Sequence, residues 1–459
     1  MFDIKHLNKG AHIHFIGIGG ISMSGLAQIM LKKGYTVTGS DRAKSHITDK
    51  LEKLGAVIYE GHAAENIKGA NLVVHTAAVH DDNPEMQAAK AASVELITRA
   101  EFLGAIMKLY HHAAGIAGTH GKTTTTSMLA HALIRAGLDP TVSVGGELDI
   151  IGGNIRTGNS DYFITEACEY TNSFLHFFPT VAVITNVDED HLDFFSGIDE
   201  IIESFRKYAM LTKEKGCVVA SGQDKNTRKA LEGTDLDIKY FGIGGEYEYH
   251  AENLKYTAGF PSFEVWHNSE KLIDVSLKVP GEHNVLNTLA VAAVCDIWGA
   301  DMQLAKTGIE EFSGAHRRFE KKGEYGGALI MDDYAHHPTE IKATLKAAAE
   351  TEHNRLWCVF QPHTYSRTRT LWNEFCESFD SVDELIITHI YAAREKPDGV
   401  TKPQNLAKDI AKRGVKVRYI DDYKEIENVL KSDLKPGDIA FTMGAGDVVD
   451  IADDLCKTC

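Results

Sequence analysis

Gly118-Thr119-His120-Gly121-Lys122-Thr123, continued by Thr124, is the stretch on which the fold of this chain turns. The apolar run Ala113 to Ala117 precedes it, and a helical pattern from about Thr123 to Arg135 follows it. An apolar strand, a glycine-bearing loop and a helix start form a phosphate cradle, because glycines let the backbone curl until its N–H groups face phosphate oxygens. Lys122 is then placed to reach the β- and γ-phosphates of ATP, and the Thr123 hydroxyl to hold Mg²⁺. The strict pattern has glycine at 116, where this chain has Ile116. The loop's place between a strand and a Thr-rich helix start supplies the context that this departure removes.

The alternation extends on both sides. Upstream, His12-Ile13-His14-Phe15-Ile16 reads as a strand, Met23 to Lys33 as a helix, and Tyr35 to Thr38 and Leu72 to His75 as further strands; this unit closes near Met107. Downstream, Asp161 to Thr165 and Val181 to Thr185 are strands, and a helix rich in small apolar residues runs from Asn284 to about Trp298. After Ser313-Gly314-Ala315-His316-Arg317-Arg318 a third alternation has strands at 328–331, 356–360, 384–387 and 438–442. Strands alternating with helices predict parallel sheets with crossover helices. The expectation is an α/β protein, for which the length allows two to four domains, with alternating units at 1–107, 108–314 and 315–459.

Composition narrows the function. Lys plus Arg is 48 against 65 Asp plus Glu, a formal net charge of −17, so the basic footprint of a nucleic-acid binder is missing. A cleft lined by local cations still suits an anionic small substrate. The seven cysteines, Cys168, Cys217, Cys295, Cys358, Cys376, Cys456 and Cys459, are odd in number and form no framework, which favours a reducing compartment. Cys456-Lys457-Thr458-Cys459 has CxxC spacing without a following helix or a second pair, so no zinc or redox role is assigned to it. The N-terminus shows no signal pattern, and no apolar run reaches about 18 residues. A cytoplasmic protein, without membrane contact, is expected.

Other runs carry chemistry. Gly17-Ile18-Gly19-Gly20-Ile21-Ser22 follows a strand and has Asp41 after the next one, which resembles a dinucleotide fingerprint with Ser22 in place of the third glycine. Such a loop serves any diphosphate, or only a tight turn. Glu166-Ala167-Cys168-Glu169 ends a strand, where carboxylates suit Mg²⁺; Glu169 can equally be a solvated surface acid. Thr185 to Asp193 holds four acids and His191, a cation site or a hydrogen-bonded loop. Asn284 and Asn287 share a helix face, suited to an adenine edge, with an N-cap role for Asn284 as the alternative. Asp332 to Pro338 and Gln361 to Arg369 follow strands. His336 and His337 lack the further ligands of a zinc site, Arg367 suits a carboxylate, and Arg369 reads as a surface arginine.

Taken together these runs resemble the Mur ligases of peptidoglycan synthesis. The resemblance rests on GIGGISMSG at 17–25, DDNPE at 81–85, RAEFLG at 99–104, GTHGKTTT at 118–125 and TNVDEDHLDFF at 185–195. It continues through EHNVLN at 282–287, HRRFE at 316–320, DDYAHHPTEI at 332–341, QPHTYSRTRTL at 361–371 and IYAAREKP at 390–397. It implies that the three units are three domains: a Rossmann-like N-terminal domain for a UDP-sugar, a central ATP-binding domain that is a P-loop ATPase with a mostly parallel sheet, and a Rossmann-like C-terminal domain for the amino acid. It also implies the reaction: ATP phosphorylates the lactyl carboxylate of UDP-N-acetylmuramate, and the amine of L-alanine attacks the acyl phosphate. A relative that adds a preformed tripeptide is the near alternative, an NAD-dependent oxidoreductase or a nucleotide-binding switch the distant ones. On this resemblance Gly118, Thr119, His120, Gly121, Lys122, Thr123, Thr124, Asn284, Asn287 and Arg318 face ATP; Thr123, Glu166 and His191 face Mg²⁺. Gly19, Ser22, Asp41 and Arg99 face the UDP-sugar, with His191 also at a substrate. His336 and Arg367 lie near the incoming amino acid and, with Lys122, carry the catalysis. Many members have arginine where Thr364 stands, so the amino-acid carboxylate is expected to be held differently here. Lys207 lies where sister ligases carry a carbamylated lysine and is left unassigned.

Overall fold

The computed structural model describes residues 2–76, 78–212 and 216–457; Thr458 and Cys459 of the terminal CxxC lie outside them. Three sheets carry the chain. The first is all parallel, in the order β3-β2-β1-β4-β5, built from β1 His12–Ile16, β2 Thr36–Asp41, β3 Val57–Glu60, β4 Leu72–His75 and β5 Glu95–Thr98. The order reverses at β1, so the glycine loop after β1 emerges at the switch point, where open α/β sheets bind ligands.

The central strands are β6 His112–Ala117, β7 Thr141–Leu148, β8 Gly153–Arg156, β9 Tyr162–Glu166, β10 Val181–Ile184, β11 Cys217–Ser221 and β12 Ile238–Ile243, in the order β12-β11-β10-β6-β9-β7-β8. All pairings among them are parallel except the β7–β8 hairpin. An antiparallel meander follows: β13 Tyr249–Thr257, β14 Phe260–His267 and β15 Glu270–Ser276. The third sheet has β16 Glu320–Tyr325, β17 Ala328–Asp333, β18 Leu356–Phe360, β19 Glu384–Ile387, β20 Val417–Tyr419 and β21 Ile439–Met443, in the order β16-β17-β21-β18-β19-β20, parallel except at β16.

Burial explains why these strands read as apolar runs. In β18, Leu356, Cys358 and Phe360 join one core while Trp357 and Val359 join another, so both faces of the sheet are covered. Packing gathers the chain into two compact units. One is Met1–Asp188 with Asp199–Phe241 and Ala290–Gly308; the other is Glu189–Ile198 with Gly242–Leu289 and Ile309–Cys459. Within the first, the helix Arg99–Met107 opens with a Thr98–Glu101 capping box and packs so closely on residues 176–177 that a Cβ on Gly104 would collide with the His176 carbonyl. Backbone cannot rotate away as a side chain does. Gly104→Ala is expected to cost about 3 kcal/mol, read as a lower denaturation midpoint; an unchanged midpoint would contradict this packing.

Candidate active site

β6 is buried from Ala113 to Ala117 between β9 and β10, so the loop after it leaves a rigid base. The backbone turns at Gly118 (φ 143°) and enters the helix Lys122–Arg135 through Gly121 (φ 84°), both conformations that favour glycine. A Cβ on Gly118 would collide with Thr185 Oγ1. Residues after β10 pin the loop from behind. Thr119 N–H donates to the Asn186 carbonyl at 3.1 Å, His120 N–H to Asn186 Oδ1 at 2.9 Å, and Asp188 N–H to Thr119 Oγ1 at 2.8 Å. The His120 carbonyl accepts from Thr185 Oγ1 and Asn186 Nδ2 at 2.7 and 3.0 Å. The front of the Thr185–Asp193 run therefore fixes the phosphate loop, a role that its acid content did not signal.

Lys122 Nζ donates to the Gly118 and Thr119 carbonyls at 2.5 and 3.0 Å and to both Glu169 carboxylate oxygens at 3.1 and 3.0 Å. Glu169 is 2% exposed, which overturns its reading as a solvated surface acid. Burial opposes the ammonium charge, but the Glu169 carboxylate outweighs it and raises the Lys122 pKa. Lys122 is thus a fixed cation at the head of the loop. Glu166 ends β9 and accepts from Gly145 N–H at 2.6 Å. A Cβ on Gly145 would lie 2.8 Å from Glu166 Oε2, and one on Gly146 would lie 3.4 Å from Thr123 Cγ2, so this glycine pair of β7 makes the room beside Thr123 and Glu166. The sequence reading missed it. Both offer oxygen, the donor type a hard divalent ion takes. The neighbouring Cys168 thiol is pushed up to about 11 by burial, with the Glu169 charge adding, so it stays protonated and is no nucleophile.

In the first sheet the structure joins the expected residues in pairs. Gly19 N–H donates to Asp41 Oδ2 at 2.8 Å, and Arg42 N–H to Asp41 Oδ1 at 2.7 Å. Arg99 Nη1 donates to Ser22 Oγ at 3.0 Å across 77 residues. Burial lowers the Arg99 pKa, though a guanidinium stays charged. The helix Ile21–Lys32 starts without a side-chain cap, leaving its N-terminus suited to an anion. It begins two residues before the expected Met23, and its close-approach glycine is Gly25, where a Cβ would collide with Ile155.

The second unit gathers His336, His363 and Arg367 at the buried Asp190. Arg367 Nε and Nη2 donate to Asp190 Oδ1 at 3.2 and 2.8 Å, and Nη1 lies 3.0 Å from His363 Nδ1. Burial works against the Asp190 charge, but Arg367 and the surrounding histidines outweigh it and hold its pKa well below the usual range. His191, with φ 53°, lies beside Asp190, its N–H on Asp190 Oδ1 at 2.7 Å. His336 Nδ1 lies 3.0 Å from the Tyr334 carbonyl, so it carries the proton and leaves Nε2 as an acceptor. His337 turns elsewhere: its Nε2 donates to the Glu189 carbonyl at 2.9 Å while Nδ1 caps the helix Pro338–Ala349. Thr364 stands at φ 65°, with its N–H on the Tyr391 carbonyl at 2.9 Å. Arg369 is 59% exposed and paired with Asp398, as a surface arginine.

These buried histidines set a pH dependence. Burial, with Arg367 adding, pulls His336 down to about 3 and His363 to about 4, and burial alone pulls His283 to about 4. Unfolded, each takes a proton near pH 6.5. The unfolded state therefore binds more protons below that pH, and stability falls as pH drops from about 6.5 towards 4. Asp333, pushed up to about 6 by burial, and Asp332, raised by burial, work in the opposite sense, against these histidines and His12, which burial also lowers. The melting temperature should decline steadily below pH 6.5; a flat profile to pH 4.5 would refute the neutral-imidazole assignment.

Asn284 and Asn287 share one face, as expected, and bond to each other: Asn287 Nδ2 donates to Asn284 Oδ1 at 3.1 Å, and Asn284 Nδ2 to the Pro280 carbonyl at 2.7 Å. The N-cap alternative is corrected, since the helix Glu282–Ile297 already includes Asn284. Arg318 lies 3.9 Å from Glu340 and over the Tyr334 ring. Its neighbour Arg317 is a structural clamp, donating to Asp332 Oδ2 at 2.9 Å and to the Gly444 and Gly446 carbonyls at 2.7 and 2.9 Å. Lys207 is 61% exposed and lies 3.9 Å from Glu203.

Comparison with known proteins places this geometry. Three family models match in chain order: Mur ligase family, catalytic domain, at residues 12–111; Mur ligase middle domain at 116–295; and Mur ligase, glutamate ligase domain at 317–446. The UDP-N-acetylmuramate–L-alanine ligase of Caldanaerobacter subterraneus subsp. tengcongensis is 51% identical over 98% of both chains. Among solved structures, the UDP-N-acetylmuramate–alanine ligase of Thermotoga maritima matches with a TM-score of 0.78 and 31% identity, covering 97% of this chain and 98% of that one. A murein peptide ligase from Psychrobacter arcticus matches at 0.69 and 26%, covering 98% of each. The chain belongs to the Mur ligase family.

Proposed function

We propose that this protein is the ATP-dependent ligase that joins L-alanine to the lactyl carboxylate of UDP-N-acetylmuramate. The observation that carries the chemistry is Lys122, a buried cation fixed at the head of a pinned phosphate loop beside Glu166 and Glu169. The choice of substrates rests on the half-identical relative that bears this activity in its name.

A carboxylate resists attack by an amine because its leaving group would be oxide. Transfer of the γ-phosphoryl group of ATP supplies a leaving group, and cations must offset the charge of ATP meeting a carboxylate. Backbone N–H groups of Gly121 to Thr124, at the helix start, and the Lys122 ammonium cradle the phosphates. Thr123 and Glu166 offer the oxygens that would hold Mg²⁺. Bound there, Mg²⁺ supplies positive charge against the phosphate oxygens. Asn284, Asn287 and Arg318 serve the adenosine side. The uncapped helix start at Ile21, positioned by the glycine loop, takes the diphosphate of the UDP-sugar, with Arg99 and Ser22 beside it. Asp41, turned onto Gly19 and Arg42, holds the loop instead of a nicotinamide ribose, which argues against an oxidoreductase.

Arg367 keeps N–H groups beyond those given to Asp190 and His363, and these suit the carboxylate of the amino acid. His336 Nε2 accepts from its amine; held down to about 3, this imidazole orients the amine and is a weak base. As the C–N bond forms and the C–O bond to phosphate breaks, the leaving phosphate takes the proton that the amine gives up, so amide and hydrogen phosphate are the products. The near alternative is a ligase for a preformed tripeptide, which the murein peptide ligase likeness brings into view. Competition between L-alanine and an L-alanyl tripeptide decides: L-alanine should be favoured by at least about a hundredfold in kcat/KM, and tripeptide preference would overturn the substrate reading.

A further inference from the structure

Behind the first glycine loop lies a buried polar cluster that none of the phosphate or amino-acid chemistry uses. Glu85, the second residue of the helix Pro84–Ala91, is fully buried. Its Oε2 accepts from Ser40 Oγ at 2.6 Å and lies 3.0 Å from His62 Nδ1. Its Oε1 accepts from Asn66 Nδ2 at 2.6 Å and faces His14 Nε2 at 3.6 Å. His14 is itself fully buried on β1, with its other ring nitrogen 2.7 Å from Thr38 Oγ1 of β2. Burial drives this carboxyl towards its neutral form, but the facing His14 ring and the hydrogen bonds from Ser40 and Asn66 outweigh it and bring it down to about 2. A buried anion is retained only where its surroundings satisfy it, so the four side chains that converge on it are held in register.

One of the four connects directly to the loop. The Ser40 carbonyl accepts from Gly17 N–H at 2.8 Å and Ile18 N–H at 3.0 Å, and the next residue, Asp41, accepts from Gly19 N–H at 2.8 Å. Three successive loop amides thus hang on residues 40 and 41, and the Ser40 side chain hangs on Glu85. We propose that Glu85 is a positioning residue for the nucleotide-sugar: by fixing Ser40 it sets the loop 17–20, and with it the helix start at Ile21, in the geometry that receives a diphosphate. This rests on the reading of that helix start as the UDP-sugar's diphosphate site.

The test uses full-length Glu85→Gln, which keeps the shape and removes the charge, and Ser40→Ala, which removes only the hydroxyl. Both are first checked by melting. For Glu85→Gln, KM for UDP-N-acetylmuramate and its Kd by calorimetry without ATP should rise about tenfold. KM for ATP and for L-alanine should stay within twofold, and kcat should change little. Ser40→Ala should move the same two quantities about threefold. Hydrogen exchange at Gly17, Ile18 and Gly19 reads the clamp without any ligand and should quicken at least tenfold in Glu85→Gln. A folded variant with unchanged UDP-sugar KM, a rise of all three KM values together, or unaltered exchange at these amides would overturn the proposal. Wild-type protein that binds no UDP-N-acetylmuramate would instead overturn the functional reading, while the exchange result still decides whether Glu85 holds the loop.

Discussion

Lys122→Ala is expected to lower kcat at least about a thousandfold while the protein stays folded. The ammonium is the one side-chain cation among the described residues that donates into the Gly118–Thr119 turn, and it is tied to Glu169 at 3.0 Å. Phosphoryl transfer involves little covalent work by the protein, so loss of a fixed positive charge at the phosphates removes much of what the protein contributes. The fold should survive because the loop has separate anchors in Asn186, Thr185 and Asp188, none of which passes through Lys122. Breaking the pair with the buried Glu169 carboxylate should still cost about 3 kcal/mol. Steady-state ADP release together with a melting curve checks both halves. Turnover within tenfold of wild type would remove Lys122 from the chemistry.

Arg367→Ala should have two large effects, separable by experiment. Asp190 and Arg367 are each about one-tenth exposed, and removing the guanidinium leaves a buried carboxylate without its main cation. That should destabilise by about 3–5 kcal/mol. The variant should also lose at least about a hundredfold in kcat/KM for L-alanine, because the remaining N–H groups of the fork are those suited to the amino-acid carboxylate. Arg367→Lys restores charge but not the fork, so stability should partly return while KM for L-alanine stays high. Adding Asp190→Asn to Arg367→Ala should recover stability without recovering activity, since the unpaired charge is gone but the substrate contact is not. If the double variant is no more stable than Arg367→Ala, the ion pair is not what holds these elements.

Many of the parallel strands were legible because they are covered on both sides, although Cys217–Ser221, equally buried, and Ile238–Ile243 were not read as strands. Ala113–Ala117 and Leu356–Phe360 are buried along their length and read as apolar runs. The meander was missed for the complementary reason: Phe260–His267 alternates buried and half-buried positions, and the second half of Tyr249–Thr257 is largely exposed, so polar residues break the run. Short edge strands such as Val57–Glu60 carry too little burial to stand out.

At the site, motifs of residues near one another in sequence were legible and long-range partners were not. Glu169 looked like any surface acid because its partner Lys122 is 47 residues away. Asp190 gave no sign that it meets Arg367, 177 residues on. The glycines at 145 and 146 likewise gained meaning only when Glu166 and Thr123 were seen beside them. Thr364 shows the converse. The departure was visible in sequence, but its positive φ and its link to Tyr391 belong to tertiary structure.

The most direct test of the central claim is ADP release by the wild-type protein with UDP-N-acetylmuramate, L-alanine or Mg²⁺ omitted in turn. A coupled ligase should release ADP at full rate only with all three present, and fall to a small fraction of that rate when any one is missing. ADP release that is indifferent to the UDP-sugar and the amino acid would mark a nucleotide hydrolase and contradict the account.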